Sequence, residues 1–177
     1  MKEITISEKK IYTGRILDLV VKKVRMPNGL IATREVVTHG GVIAVIPFLE
    51  DGKIVMVKQY RKTAEKITLE IPAGRMDPGE TPLQTTKREL REETGYVAQK
   101  IKKHLSFYPA IGYSNELIHL FTASDLTLKE TDPDEDELIE AVRLTLPEAL
   151  KKIDEGKIID SKSILGLLYV AQHQISS

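Results

Sequence analysis

Four glutamates lie close together in the segment 74–96, and their spacing suits metal-ion chemistry. They are Glu80, Glu89, Glu92 and Glu93. The last three are spaced so that they share one face of a helix. Like charges at this spacing destabilise a helix by about a few tenths of a kcal/mol per pair unless a cation offsets them. Arg88 can relieve part of that repulsion by reaching Glu92. A hard divalent cation, Mg²⁺ with Mn²⁺ as a substitute, is the simplest partner for such carboxylates.

The residues around these glutamates predict a short helix that follows a glycine-containing loop. Thr81 is a suitable N-cap, Pro82 suits the first helical position and Gln84 completes a capping box. Gly95 is the expected terminator of the helix. Four residues are predicted to form the stripe that packs against the rest of the protein: Leu83, Thr86, Leu90 and Thr94.

The same segment resembles the Nudix box, the signature of the Nudix hydrolase family. The resemblance rests on residues at the spacing of that signature: Gly74, Glu80, Arg88, Glu89, Glu92, Glu93 and Gly95. Tyr96 stands where an aliphatic residue is more usual. A lone Glu-x-x-Glu-Glu would be interpreted as the solvated acidic face of an amphipathic helix, but the complete pattern favours the family.

Composition and charge indicate an ordinary globular protein. Its 177 residues are 41% hydrophobic and 29% charged, enough for one domain with its own core, with or without a small appendage. The 26 basic and 26 acidic residues balance, so no overall field favours nucleic acid or anionic lipid. Cysteine is absent and no apolar run reaches membrane-spanning length. We therefore expect a cytoplasmic protein without nucleic-acid or membrane partners.

The hydrophobic pattern predicts two parts and an α+β class. Residues 1–40 are expected to form an N-terminal antiparallel β-ribbon whose first strand is residues 4–6. Such a ribbon is marginally stable alone, which makes it a candidate dimerisation element. Residues 41–177 are expected to form the catalytic domain, in which the apolar run 42–49 predicts a strand buried on both faces. Ser161 is the predicted cap of the last helix. The resemblance implies the Nudix fold, a mixed β-sheet sandwiched between helices.

Clustered carboxylates indicate phosphoryl chemistry even without reference to a family. Mg²⁺ usually binds through one or two carboxylates together with the phosphates of a substrate, and a bound ion lowers the pKa of a water that can attack phosphorus. A general base is still needed near that water. The acidic run 130–140 is a candidate source of the base, although such runs are usually solvated loops.

The Nudix resemblance implies hydrolysis of a nucleoside diphosphate linked to another moiety, and it assigns roles within the box. The implied metal-binding residues are Glu89 and Glu93 as central ligands, Glu92 as an assisting ligand, Glu80 as an outer ligand and Ala73 through its backbone carbonyl. Glu92 is also counted among the catalytic residues. Arg88 would orient the glutamates by salt bridges.

Segments outside the box resemble the ADP-ribose pyrophosphatase branch of this family. They are residues 33–41, residues 57–61 with 70–74, and the acidic loop 134–137. In this branch a loop glutamate serves as the catalytic base. Glu135 aligns best with it, and Glu137 is the second choice. Ile111 stands where the branch has a proline, a departure that bears on ADP-ribose specificity but not on pyrophosphate hydrolysis.

The branch resemblance also implies a substrate site and a homodimer with exchanged N-terminal ribbons. The implied substrate-binding residues are Arg34 and Glu35 near the adenine, Arg61 at the phosphates, and Glu70 and Glu116. From their positions in the chain, Arg34 and Glu35 could equally form a cross-strand surface pair, and Arg61 could be a surface residue.

A Mg²⁺-dependent ADP-ribose pyrophosphatase that releases AMP and ribose 5-phosphate is the leading hypothesis. The alternative is a Nudix hydrolase of another nucleotide sugar or of a dinucleoside polyphosphate, which Ile111 keeps open. A non-catalytic nucleotide sensor built on the same fold is a third hypothesis. The complete set of box glutamates argues against the sensor, because a sensor has no need of metal-activated water.

Overall fold

The structure, a computed structural model, describes residues 1–129 and 138–175. These residues form ten β-strands and three α-helices, which confirms the α+β class. The elements in chain order are β1 (Ile4–Thr13), β2 (Leu17–Arg25), β3 (Ile31–His39), β4 (Val42–Pro47), β5 (Lys53–Arg61), β6 (Lys66–Glu70), β7 (Ala73–Arg75), α1 (Pro82–Thr94), β8 (Tyr96–Phe107), β9 (Ile118–Leu128), β10 (Ile139–Thr145), α2 (Leu146–Asp154) and α3 (Ser161–Gln172).

The first of two compact units comprises Met1–Gly41 and Phe107–Leu117. Its strands β1, β2 and β3 form an antiparallel sheet in that order. β1 is longer than the predicted residues 4–6, because its pairing with β2 continues through two irregularities of register as far as Thr13. The backbone of Val37 joins the segment 107–117 to β3, since its N–H donates to the Tyr113 carbonyl at 2.8 Å.

The second unit comprises Val42–Ser106 and the chain from Ile118 onwards. It contains a four-stranded sheet in the order β7-β4-β9-β8 and a three-stranded sheet in the order β10-β5-β6. β4 and β9 are parallel, whereas the pairs of β4 with β7 and of β5 with β6 and β10 are antiparallel. The four-stranded sheet is therefore mixed, as predicted.

β4 lies at the centre of this unit and is buried along its whole length, as the apolar run predicts. Ile43 and Val45 pack in one hydrophobic cluster with Leu90 of α1. Ile46 points to the opposite face because side chains alternate along a strand, and its Cδ1 atom would lie 3.3 Å from a Cβ placed on Gly166 of α3. The sheet is thus covered by α1 on one face and by α3 on the other.

The last helix is present as predicted, but it begins one residue earlier, because its N-cap is Asp160 and not Ser161. Asp160 has extended backbone dihedrals, φ −83° and ψ 143°, and its carboxylate accepts a hydrogen bond from the Ser163 N–H at 3.1 Å. Ser161 is already the first helical residue. Among the described residues, no helix combines the length and the apolar character needed to cross a membrane.

Candidate active site

Helix α1 carries the clustered carboxylates, and its two ends are built as the sequence predicts. Thr81 and Gln84 form a reciprocal capping box, with the Thr81 N–H donating to Gln84 Oε1 at 2.8 Å. Gly95 ends the helix in the left-handed conformation at φ 74°, which favours glycine. The helix is therefore held at both ends by local interactions.

The buried face of α1 differs from the predicted stripe at one position. Thr86, Leu90 and Thr94 are buried, but Leu83 is 44% exposed, so its prediction was wrong. Thr85 is fully buried in the same turn, and its hydroxyl donates to Glu80 Oε2 at 2.8 Å. The polar partner in the preceding loop decides which residue of the first turn faces inward.

Arg88 lies at the centre of the site and contacts three of the four glutamates. Its Nη1 atom donates to Glu89 at 2.8 Å and to Glu92 at 2.9 Å. Its Nε and Nη2 atoms form two parallel hydrogen bonds with Glu80, both at 3.1 Å. The sequence indicated the contact with Glu92, but the planar guanidinium relieves more of the repulsion than that single pair would.

Glu89 lies directly against the backbone of Gly74. A Cβ atom placed on Gly74 would be 1.8 Å from the carboxyl carbon of Glu89. This close approach is the physical reason for glycine at position 74, since any side chain would displace the carboxylate. The glycine of β7 and the glutamate of α1 therefore form one structural feature.

Glu93 is 7% exposed and is held by the segment just before Gly74. Its Oε2 atom accepts a hydrogen bond from the Ala73 N–H at 3.0 Å. Burial of a carboxylate is unfavourable unless hydrogen bonds or opposite charges offset it. The two residues that the family resemblance links as metal ligands, Ala73 and Glu93, thus lie in contact.

Glu80 is strongly biased towards its ionised form. Hydrogen bonds from Arg88 are the largest cause and, together with the hydrogen bond from Thr85, they outweigh the opposing effect of burial and lower the pKa of Glu80 to about 2. The same ion pairs raise the pKa of Arg88 above its ordinary value. Arg88 and Glu80 therefore both remain charged at neutral pH.

The oxygen donors suit a hard divalent cation. In residues 1–129 and 138–175, no group of three or more His, Cys, Asp or Glu side chains is arranged to hold a metal ion, and three glutamates are bonded to Arg88. The donor chemistry nevertheless fits, because carboxylate and carbonyl oxygens are the ligands that Mg²⁺ and Mn²⁺ prefer. The absence of a side chain at Gly74 also allows the Glu89 carboxylate to lie against the backbone of β7. The residues that could hold the ion are Glu80, Glu89, Glu92, Glu93 and the Ala73 carbonyl.

Arg61 and Glu70, both predicted to bind substrate, contact each other. Arg61 donates from Nε and Nη2 to the two carboxylate oxygens of Glu70, at 2.9 and 2.8 Å. The Glu70 side chain is only 3% exposed, whereas that of Arg61 is 39% exposed. Glu70 also accepts from Thr68 at 2.6 Å and from Lys162. Glu70 is therefore a buried partner of Arg61, and only Arg61 presents surface to a ligand.

The other predicted site residues are placed as follows. Arg34 lies in β3 and forms an exposed ion pair with Glu3 at 2.5 Å, so its partner is not Glu35. Glu35 is exposed in the same strand. The backbone N–H of Glu116 donates to the Ser114 hydroxyl at 3.1 Å. The predicted bases, Glu135 and Glu137, lie outside the described residues.

Sequence reasoning missed two sets of contacts around this site. One is the pair Thr68 and Lys162 that contacts Glu70, together with Asp160, which contacts Lys162. The other is Tyr96, whose hydroxyl accepts a hydrogen bond from Arg143 of β10 at 2.6 Å. The unusual residue at the end of the box was the available signal for the second set. No sequence spacing signals the first, because Glu70 and Lys162 are 92 residues apart.

Comparison with known proteins agrees with this geometry. The model of the NUDIX domain matches residues 37–164, and the chain therefore belongs to the Nudix family. The resemblance to the Nudix family and the Nudix fold inferred from the sequence are both confirmed.

Individual relatives extend over nearly the whole chain. An ADP-ribose pyrophosphatase of Bacillus subtilis (strain 168) is 41% identical over 172 residues, which are 96% of this chain and 93% of the relative. A methanol dehydrogenase activator of Bacillus methanolicus is 44% identical over 171 residues, 96% and 92% of the two chains. A solved structure of an ADP compounds hydrolase superposes with a TM-score of 0.87 at 21% identity, covering 97% of this chain and 94% of the other. That last likeness shows a common fold.

Proposed function

We propose that this protein is a Mg²⁺-dependent pyrophosphohydrolase that cleaves ADP-ribose to AMP and ribose 5-phosphate, with Mn²⁺ as a substitute ion. The observation that carries the proposal is the complete glutamate set around Gly74 and Arg88. It occurs in a chain 41% identical to an ADP-ribose pyrophosphatase over 96% of its length. The match to the NUDIX domain model supports the family, and the similar ADP-ribose pyrophosphatase suggests the substrate.

The box residues would hold the ion in this proposal. Glu89 and Glu93 would be the central ligands, Glu92 would assist, Glu80 would be an outer ligand and the Ala73 carbonyl would complete the set. When bound, the ion neutralises diphosphate charge and lowers the pKa of the attacking water. Arg88 holds three of these carboxylates in place, and the Ala73 N–H holds Glu93.

The remaining steps fall to side chains that bind the substrate or move a proton. Arg61 is the proposed phosphate contact, because a partly exposed guanidinium binds phosphate oxygens in a bidentate manner. Arg34 and Glu35 are the proposed contacts to the adenine, and Glu116 is a further substrate contact. Glu135 is the proposed base that takes the proton of the attacking water, with Glu137 as the second choice.

Product analysis tests this function directly. Purified protein is incubated with Mg²⁺ and, in separate reactions, ADP-ribose, ADP-glucose, NADH and diadenosine polyphosphates. We expect ADP-ribose to be cleaved fastest, with AMP and ribose 5-phosphate in equal amounts and no cleavage in EDTA. Faster cleavage of another compound would assign the protein to the alternative substrate class and direct attention to Ile111. No cleavage of any compound would favour the sensor.

A second candidate function comes from the Bacillus methanolicus relative, named as a methanol dehydrogenase activator and 44% identical to this chain. The protein would then stimulate a methanol dehydrogenase in addition to, or through, hydrolysis of a nucleotide. The test adds the protein to a purified methanol dehydrogenase and measures the rate of methanol oxidation. A box variant such as Glu93→Gln serves as the control, since stimulation that survives it does not depend on the hydrolase site.

The assembly and the location of the protein complete the proposal. We infer a homodimer with exchanged N-terminal ribbons in the cytoplasm, without nucleic-acid or membrane partners. The exposure of every residue of β1 supports a partner for the ribbon, because an isolated small sheet with few buried residues is marginally stable.

A further inference from the structure

The first turn of α3 holds two adjacent residues, Glu70 and Ile71, of the segment that leads into the candidate site. The Ser163 hydroxyl, which is fully buried, accepts a hydrogen bond from the Ile71 N–H at 2.8 Å. The neighbouring Lys162 ammonium donates to the Glu70 carboxylate. A helix that is distant in sequence therefore holds both the backbone and a side chain of the segment that precedes Ala73.

Lys162 is a largely buried cation shared between two carboxylates. Its side chain is 13% exposed, and it contacts Glu70 and also Asp160, the latter at 2.9 Å. Asp160 is itself the N-cap of α3, and its second oxygen, Oδ1, is buried without a hydrogen-bond partner among the described residues. A buried charge persists only when it is paired, so Lys162 and the two carboxylates depend on one another.

The position of the Arg61 guanidinium follows from that of Glu70. Two parallel hydrogen bonds connect the groups, and this fork geometry sets the orientation as well as the distance. Glu70 cannot follow a displaced Arg61 into solvent, because Thr68 and Lys162 hold the same carboxylate. Lys162 thus acts on Arg61 through one intervening residue.

Charge reinforces this geometry. Four side chains form a cluster with two positive and two negative charges: Arg61, Lys162, Glu70 and Asp160. Without the Lys162 charge, these four residues would carry a net negative charge, which would weaken the attraction of Arg61 for phosphate. The expected effect is weaker binding of an anionic substrate, with little effect on the chemical step.

We propose that Lys162 is a positioning residue that holds Glu70 and thereby orients Arg61 toward the diphosphate of the substrate. The inference rests on the proposed function only in requiring a nucleoside diphosphate compound as the ligand. It adds a residue of the C-terminal helix to the substrate site.

The test compares Lys162→Met, which keeps the length of the side chain without its charge, with Lys162→Arg, which keeps the charge. Lys151→Met is the matched control, because Lys151 is a 77% exposed lysine of α2. The values of kcat and KM are measured at saturating Mg²⁺, together with Tm. We expect Lys162→Met to raise KM about tenfold with little change in kcat. Loss of a residue that holds a functional group in place typically has an effect of this size. Lys162→Arg should restore most of the affinity.

An unchanged KM in Lys162→Met, whatever its Tm, would overturn the proposal and leave Lys162 with a purely structural role. If Lys162→Met does not fold, Lys162→Gln, which retains a hydrogen-bond donor without the charge, is measured in its place against the same expectation. Failure of Lys162→Arg to recover the wild-type KM better than these neutral variants would also overturn it.

Failure of the proposed function gives a different result. If the wild type prefers a nucleoside diphosphate compound other than ADP-ribose, the comparison is made with that compound and still decides the role of Lys162. If the wild type cleaves nothing, calorimetric titration with ADP-ribose in EDTA replaces kinetics. Binding weakened about tenfold in Lys162→Met would support the positioning role. Equal binding, or none by the wild type, would overturn it.

Discussion

Substitution of Gly74 by alanine tests the link between the backbone of β7 and the carboxylate of Glu89. The added Cβ atom would lie 1.8 Å from the Glu89 carboxyl carbon, and 1.9 and 2.3 Å from its two oxygens. Real Cβ atoms essentially never approach closer than 3.0 Å. The carboxylate must therefore retreat by roughly 1 Å or more, a displacement that can cost about 100-fold in rate when it affects a catalytic group.

The energetic cost to the fold should be small by comparison. The obstructing atoms are the flexible end of a side chain, so Glu89 can rotate away without moving the helix. The hydrogen bond from Arg88 to Glu89, 2.8 Å long, is the main contact at risk, and losing such a charged bond costs about 1.5 to 3 kcal/mol at most. Gly74→Ala should therefore remain folded while its activity falls sharply.

The assay measures kcat for ADP-ribose and the Mg²⁺ concentration that gives half-maximal rate, alongside thermal unfolding. We expect kcat to fall about 100-fold and the Mg²⁺ requirement to rise. Gly52→Ala is the matched control: Gly52 has φ +77°, and no atom of residues 1–129 and 138–175 lies within 4 Å of an added Cβ. That control should lose about 1 kcal/mol of stability through backbone strain and keep wild-type kcat.

A kcat for Gly74→Ala within about threefold of the wild type, with an unchanged Mg²⁺ requirement, would refute the reasoning. It would mean that the position of Glu89 against Gly74 is not the one used in catalysis. A parallel loss of activity in Gly52→Ala would attribute the effect to general destabilisation.

Four further predictions concern acid stability, the box terminus, the catalytic base and the assembly. Burial raises the pKa of Glu70, but hydrogen bonds from Arg61 and the charge and hydrogen bond of Lys162 outweigh it and lower the pKa from 4.5 to about 2. Because the folded-state pKa is depressed, this stabilisation is present above pH 4.5 and is lost as pH falls towards 2. Acid unfolding followed by circular dichroism should show a loss of about 3 kcal/mol across that window, and Glu70→Gln should remove this part of the pH dependence. Tyr96→Phe deletes the hydroxyl that accepts from Arg143 at 2.6 Å and should lower the free energy of unfolding by about 1 to 3 kcal/mol in urea titrations; an unchanged midpoint would contradict a structural role for that contact. Glu135→Gln should lower kcat far more than KM in steady-state assays, and a change of only a few-fold would transfer the role of base to Glu137. A variant lacking residues 1–38 should sediment as a monomer, and persistence of the dimer would exclude the ribbon as the dimerisation element.

Local interactions explain why α1 was predictable. The capping box of Thr81 and Gln84 and the terminal Gly95 lie within a turn of the ends they control, so residue type and spacing are sufficient. The buried strand β4 was predictable because a continuous apolar run of that length has few alternatives. Leu83 was misplaced because the choice between neighbouring residues of the first turn depends on the loop carboxylate of Glu80.

Contacts between distant segments were beyond the reach of sequence reasoning. The bond between Lys162 and Glu70 exists only because α3 covers the face of the sheet opposite α1, where Gly166 allows close packing on Ile46. Neither residue carries a pattern that indicates the other. Arg61 could be identified as a candidate from the branch resemblance, but its attachment to Glu70 depends on how two strands and a helix pack together.

The charged clusters around α1 and around Glu70 differ in their balance of positive and negative charge, and this difference indicates separate roles. Around α1, Arg88 is bonded to Glu80, Glu89 and Glu92, so negative charge exceeds positive charge among these four residues, which favours a divalent ion. Around Glu70, two cations face two carboxylates, so the charges of these four residues balance, and Arg61 is the cation with the more exposed side chain. An anionic diphosphate would be attracted to the acidic cluster through a bound cation and to the other cluster through Arg61. An uncharged ligand would gain neither attraction. An acidic cluster together with Arg61, which is held by Glu70, therefore favours phosphorylated substrates over neutral ones.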